Sequence, residues 1–341
     1  MDIGIKGLQQ LLLLSLATAF AVPAGARCQM EDAAEIRVNT NRNQLLTGGV
    51  IDGHAVRVLI DTGANMSMIW KPASEKLGLH LFTGSRVRFY GLGGESYVYT
   101  ALVKEFHVAT FSASNRRFAV AGDLSAGMDF ILAEDLLSRT SMEFDLRHQA
   151  VRTMNPIGCA IAELPYWATT YSMADLVASP HEALAIWVDV MLNGHRVRAQ
   201  IDSGSSVSIL SKSVADHLGV HYAGTIGAVV GIGRGSLETR IADMDTFTLG
   251  DETIKNTQLM VAQMGKYRTM VPIGSRISVP AAVANEPEML LGLDFLRAHR
   301  VLVDNSTRKM VFTYEGGPVF ETAEPSESNG TPSAAADPTQ P

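Results

Sequence analysis

The chain repeats itself, and the repeat limits what it can fold into. Asp52-Gly53-His54 and Asn193-Gly194-His195 lie 141 residues apart, and so do Asp61-Thr62-Gly63-Ala64 and Asp202-Ser203-Gly204-Ser205. The same offset joins Leu77-Gly78-Leu79-His80 to Leu218-Gly219-Val220-His221. It is 140 between Gly91-Leu92-Gly93 and Gly231-Ile232-Gly233, and 159 between the apolar motifs at 131–137 and 290–296. The second copy therefore carries an extra segment, expected within residues 265–285. A repeat of this length implies two structural units of one fold, and it outweighs any single motif.

Each unit reads as strand. Asp-Gly and Asn-Gly between apolar runs are strong hairpin signals, because both residues tolerate the positive φ of a type I′ turn. After the turn, Val56, Val58 and Ile60 alternate with Arg57 and Leu59; Val197, Ala199 and Ile201 alternate with Arg198 and Gln200. A period of two marks a strand with one face inward. Each Asp-Thr/Ser-Gly triplet thus falls where a strand ends and a tight turn begins. Short helices are expected at 72–77 and 211–218. The length of 341 residues suits two lobes, each with its own core. Their expected bounds are 33–155 and 184–315, with a linker at 156–183. The linker holds Tyr166, Trp167 and Tyr171, which predict that it packs on a lobe.

This layout resembles the retropepsin-like aspartic proteases: hairpin, strand, Asp-Thr/Ser-Gly-Ala/Ser, Gly-rich turn, then two apolar residues, Gly, any residue, Asp and two apolar residues. The last motif maps onto 290–296 and less well onto 131–137, where Ala133 replaces Gly and Glu134 stands where the second copy has Leu293. A methyl group at a close-packed crossing is a small change that many cores absorb. The chain is similar to periplasmic, retropepsin-like proteases of Gram-negative bacteria. The resemblance implies an all-β fold of two β-barrel lobes in one chain, a pepsin-like pseudo-dimer with its active site in the cleft between the lobes.

The activity it implies is aspartic endopeptidase. Two carboxylates about 3 Å apart cannot both ionise, a pattern for which the aspartic proteases are themselves the standard example. Asp61 and Asp202 are the catalytic candidates, and they titrate as a pair. Thr62, Gly63, Ser203 and Gly204 would support the loops. Tyr90, Gly91, Gly93, Gly231 and Gly233 are the flap candidates, although ordinary hairpin turns use the same glycines. A peptide substrate would bind as an added strand. No cofactor or metal is implied, and His54 and His195 have no metal-ligand spacing. The alternatives are a peptide-binding protein that kept the fold without catalysis, and lobes that pair with their twins in a second chain rather than forming a monomeric pseudo-dimer.

The ends and the charge place the protein. Residues 8–22 are mostly apolar, Lys6 precedes them and Ala24-Gly25-Ala26 offers a small-x-small site, so 1–26 reads as a cleaved signal and the protein as periplasmic. Arg27 before Cys28 argues against a lipid anchor, and no membrane association is expected after cleavage. Residues 316–341 read as a disordered tail, rich in Ser, Pro, Glu and Ala and free of Lys and Arg. The net charge is −7, with four of the acids in that tail, so no field exists to recruit nucleic acid. Cys28 and Cys159 are the only cysteines. Two cysteines carry no framework pattern, and unpaired thiols are the expectation over a bond.

Overall fold

The structure is a computed structural model that describes residues 28–40, 43–91, 94–121, 127–178, 185–230, 236–264, 271–272 and 287–320. The expected signal, most of the expected tail and the flap candidates Gly93, Gly231 and Gly233 lie outside the described residues.

The two hairpins form as their turns dictate. Asp52 and Gly53 take φ of 47° and 80°, and Asn193 and Gly194 take 48° and 80°. All four values are positive, as a type I′ turn requires. The turns set the registers Leu46↔Leu59 and Trp187↔Gln200, from which each barrel is built.

The first barrel runs through strands Leu46–Ile51, His54–Ile60, Phe130–Leu132, Met68–Trp70, Phe111–Ala121 and Gly94–Val108, and closes from the last back to the first. The second repeats this ring with Trp187–Leu192, His195–Ile201, Met289–Leu291, Ile209–Ser211, Glu252–Ala262 and Ser236–Leu249. In each, the strand ending in the Asp triplet pairs in parallel with the strand of the last motif: Val58↔Phe130 in one, Ala199↔Met289 in the other. The chain is all-β with two closed six-stranded barrels. Short helices at Lys71–Lys76 and Lys212–Leu218 follow the loops, close to their expected places.

Alternation fails at one informative point. Val56, Val58 and Ile60 are buried as expected, but so is Leu59, and so is Gln200 in the second copy. The Gln200 amide lies within reach of the Thr62 and Gly63 carbonyls, so the second face of that strand is covered by the opposite lobe.

A third sheet joins the barrels. Its order is Gln29–Arg37, Ala150–Ile157, Ser141–Asp145, His299–Asp304, Lys309–Tyr314 and Ser172–Asp175, so it takes strands from both lobes and from the linker. Arg152 and Arg300 lie on it and converge on the buried carboxylates of Glu143 and Asp145. The linker packs, as its aromatics suggest: Leu164 is buried, Trp167 donates to Thr313 Oγ1 at 2.9 Å, and Arg300 stacks over the Trp167 ring. Order continues past the expected start of the tail, because Phe320 packs edge-on against Phe247 of the second barrel. The apolar core runs continuously through both lobes. From the second copy's extra segment, Val271–Pro272 pairs with strand Leu81–Gly91 of the first lobe; the rest of 265–285 lies outside the described residues.

The expectation of unpaired thiols is overturned. Cys28 and Cys159 form a disulfide, with Cα atoms 4.1 Å apart. The register Gln29↔Ile157 brings the two chain segments side by side, a contact across 131 residues that spacing alone does not show. Reduction should lower stability by about 2–4 kcal/mol, the usual range for a native bridge. Urea unfolding with and without reductant measures this, and an unchanged midpoint would contradict it.

Candidate active site

Asp61 and Asp202 leave their strands at equivalent points. The Asp61 backbone N–H donates to Leu132 O and that of Asp202 to Leu291 O, each at 2.9 Å. The last motif thereby fixes where each triplet turns away from its barrel. Asp61 Oδ1 then accepts from the N–H groups of Gly63 and Ala64, both at 2.9 Å. Asp202 Oδ1 accepts from Gly204 at 2.9 Å and Ser205 at 3.1 Å. One oxygen of each carboxyl is thus held by its own loop. Each carboxyl lies against the glycine of the opposite triplet, and each residue is only 8% exposed.

Thr62 and Ser203 lock the loops across the lobe boundary. Thr62 Oγ1 donates to Ile201 O at 2.8 Å and accepts from Ser203 N at 3.0 Å. Ser203 Oγ donates to Ile60 O at 2.8 Å and accepts from Thr62 N at 3.1 Å. These four bonds obey the pseudo-twofold axis and use the one donor of each hydroxyl. Gly63 and Gly204 sit where a side chain has no room: a Cβ on either would collide with the opposite carboxyl. The structure therefore brings together Asp61, Thr62, Gly63, Asp202, Ser203 and Gly204. Tyr90 and Gly91 lie at the end of strand Leu81–Gly91, paired with Glu95 and Gly94, in a hairpin attached to the first barrel.

Burial raises both aspartates above the ordinary carboxylate range, and the charge of Asp61 raises Asp202 further. The paired backbone N–H groups pull each back down. Both shifts favour a proton on the pair more than on two isolated aspartates.

A second ring of residues stands behind the loops. Asp135 Oδ1 accepts from Ser67 N at 2.8 Å and from Ser67 Oγ at 2.6 Å, and Ser67 Oγ accepts from Ala133 N at 3.0 Å. The second lobe repeats this through Asp294, Ser208 and Gly292. The roles of these residues are not evident from motif reading, yet the signal was present. Ser67 and Ser208 share the 141 offset, and Asp135 and Asp294 the 159 offset. Arg116 adds an ion pair to Asp135. The Ala133 departure is absorbed: it is fully buried and its N–H keeps the bond to Ser67. Gly292 has no such freedom, since a Cβ there would meet the Val207 backbone at 2.5 Å.

Among the described residues, no group of acidic, His or Cys side chains is arranged to hold a metal ion. Two segments, 47–135 and 188–295, match the aspartyl protease family. No curated protein matches the chain by sequence. Among solved structures, an aspartic proteinase from Irpex lacteus aligns with a TM-score of 0.47 at 9% identity, over 83% of this chain and 97% of that one. The family matches together span more than half of the chain, and each contains one of the two triplet aspartates, so this chain belongs to the aspartyl protease family.

Proposed function

We propose that the chain is an aspartic endopeptidase whose catalytic pair is Asp61 and Asp202, both supplied by one polypeptide. The observation that carries this reading is a pair of buried carboxyls, each anchored through one oxygen by two backbone N–H groups and each lying against the glycine of the opposite triplet. A peptide-binding cleft has no need of two buried acids, each of which lowers stability near neutral pH. General acid–base chemistry needs both.

The ionised member takes a proton from water while the neutral member donates to the scissile carbonyl oxygen. Oxygen attacks carbon, a gem-diol forms, and the C–N bond breaks as the amine takes a proton from the pair. Substrate lies in the cleft as an extended strand, under the hairpin that ends at Tyr90 and Gly91. The Cys28–Cys159 bond supports an oxidising compartment, which agrees with the apolar N-terminal run and a periplasmic location.

The test is hydrolysis of a mixed peptide pool by the purified protein in 18O-labelled water, between about pH 4 and about pH 7. New carboxyl ends carrying one 18O, with no acyl-enzyme trapped by hydroxylamine, are the expected result. No cleavage across that range would overturn the reading.

A further inference from the structure

The two halves of the site agree at most positions, so their disagreements are informative. At the first position of the helix after the crossing strand, the second lobe has Leu293 and the first has Glu134. Their backbones are equivalent: Leu293 N donates to Ser205 O at 2.9 Å, and Glu134 N to Ala64 O at 3.1 Å. Leu293 is fully buried, so the fold accepts an apolar residue here. Glu134 is buried almost as deeply, at 3% exposed, and neither carboxyl oxygen has a hydrogen-bond partner among the described protein groups. An unpartnered buried acid works against folding. Where a repeat shows that a stable choice exists and the chain departs from it, a functional reason is the first place to look.

Glu134 borders a small cavity with room for about one water molecule. Thr62 reaches the cavity from the Asp61 loop, Ser138 and Thr140 from behind the Glu134 helix, Ile186 from the approach to the second barrel, and Val303 and Asn305 from the sheet between the lobes. The cavity therefore sits where all three parts of the molecule meet. The ionisable groups acting on Glu134 are acids: Asp61 and Asp202 from the two loops, and Asp135 beside it. The neighbouring cation Arg116 is engaged by Asp135. Asp304, between Val303 and Asn305, takes hydroxyl donors from Thr307, Ser141 and Ser306. Arg139 is exposed.

We propose that Glu134 is a positioning residue that works only as a neutral acid: uncharged, it fills the junction behind the Asp61 loop, and its ionisation sets the upper pH limit at which the two halves of the site stay assembled. Burial first, and then the charges of Asp61, Asp202 and Asp135, push its carboxyl from 4.5 up to about 9. Between those values the folded chain keeps a proton that the unfolded chain has released. Folding therefore weakens as pH rises through this window, by about tenfold in the folding constant per pH unit. Below the window the stability is fully present, and above it the slope from this group ends.

The experiment is urea unfolding of wild type, Glu134→Gln and Glu134→Leu at steps from about pH 5 to about pH 8. The ratio of variant to wild-type folding constants should rise by up to roughly a thousandfold across that range. A fixed penalty for the buried amide scales this ratio equally at every pH and leaves its rise unchanged, so Glu134→Gln carries the test if the leucine variant does not fold. Peptide hydrolysis at pH 5 by Glu134→Gln should stay within about twofold of wild type, because a neutral side chain is all the role requires. A pH-independent ratio would overturn the proposal, and so would loss of hydrolysis at pH 5 by folded Glu134→Gln. The unfolding measurement stands without any peptide substrate, so failure of the protease reading and failure of this proposal remain distinguishable.

Discussion

Replacing Gly63 with alanine is expected to abolish peptide hydrolysis although both aspartates remain in the chain. The nearest three atoms to an added Cβ are all in the Asp202 carboxyl, and Gly204 stands in the same relation to Asp61. A methyl group at either position must push the opposite carboxyl away from its partner. Displacing a reacting group by about 1 Å costs roughly 10²-fold in rate, and the loss here should reach at least that. Overpacking a close crossing also costs about 1–3 kcal/mol, so the melting temperature should fall while the fold survives. Gly63→Ala and Gly204→Ala should behave alike, because the site is pseudo-symmetric. Either variant keeping more than about a tenth of wild-type kcat would show that the carboxyls need not touch.

Asp61→Asn and Asp202→Asn should each remove hydrolysis by roughly 10² to 10⁴-fold while leaving the protein folded. An amide oxygen can still accept from Gly63 and Ala64, or from Gly204 and Ser205, so the loop geometry is retained. What is lost is the shared proton. The sign of the stability change is also set. Burial raises both aspartates, so each destabilises the fold as pH rises above its unfolded value near 3.8. An asparagine does not ionise, and each variant should therefore gain on wild type as pH increases. Paired assays of kcat and melting temperature decide the matter. Activity surviving in one variant would show that the two aspartates do not act as a unit. Equal pH slopes in all three proteins would show that the buried acids do not titrate as their surroundings require.

The barrels were legible because their signals are local. Asp52-Gly53 and Asn193-Gly194 announce type I′ turns through backbone sterics, and Val56, Val58 and Ile60 announce a strand through its period of two. The repeat then doubles every such signal, so that two weak triplets support each other. The ring behind the loops was present in the same offsets, at Ser67 with Ser208 and Asp135 with Asp294, but a shared offset does not reveal a hydrogen bond. Leu59 and Gln200 break the alternation, and for Gln200 the reason is that a second lobe covers the far side of its strand, which a period of two does not register.

The duplication, the hairpins, the loop-borne aspartates and the all-β class can be read directly from the residues, because each depends on contacts a few residues apart or on comparing one copy with the other. The Cys28–Cys159 bond, the sheet between the lobes, the packing of each carboxyl on the opposite triplet and the burial of Glu134 emerge only in the folded chain. Each of these joins residues far apart in the chain. Such contacts arise from closing long loops around a common core, and the energies that favour them belong to the assembled surfaces rather than to any one segment.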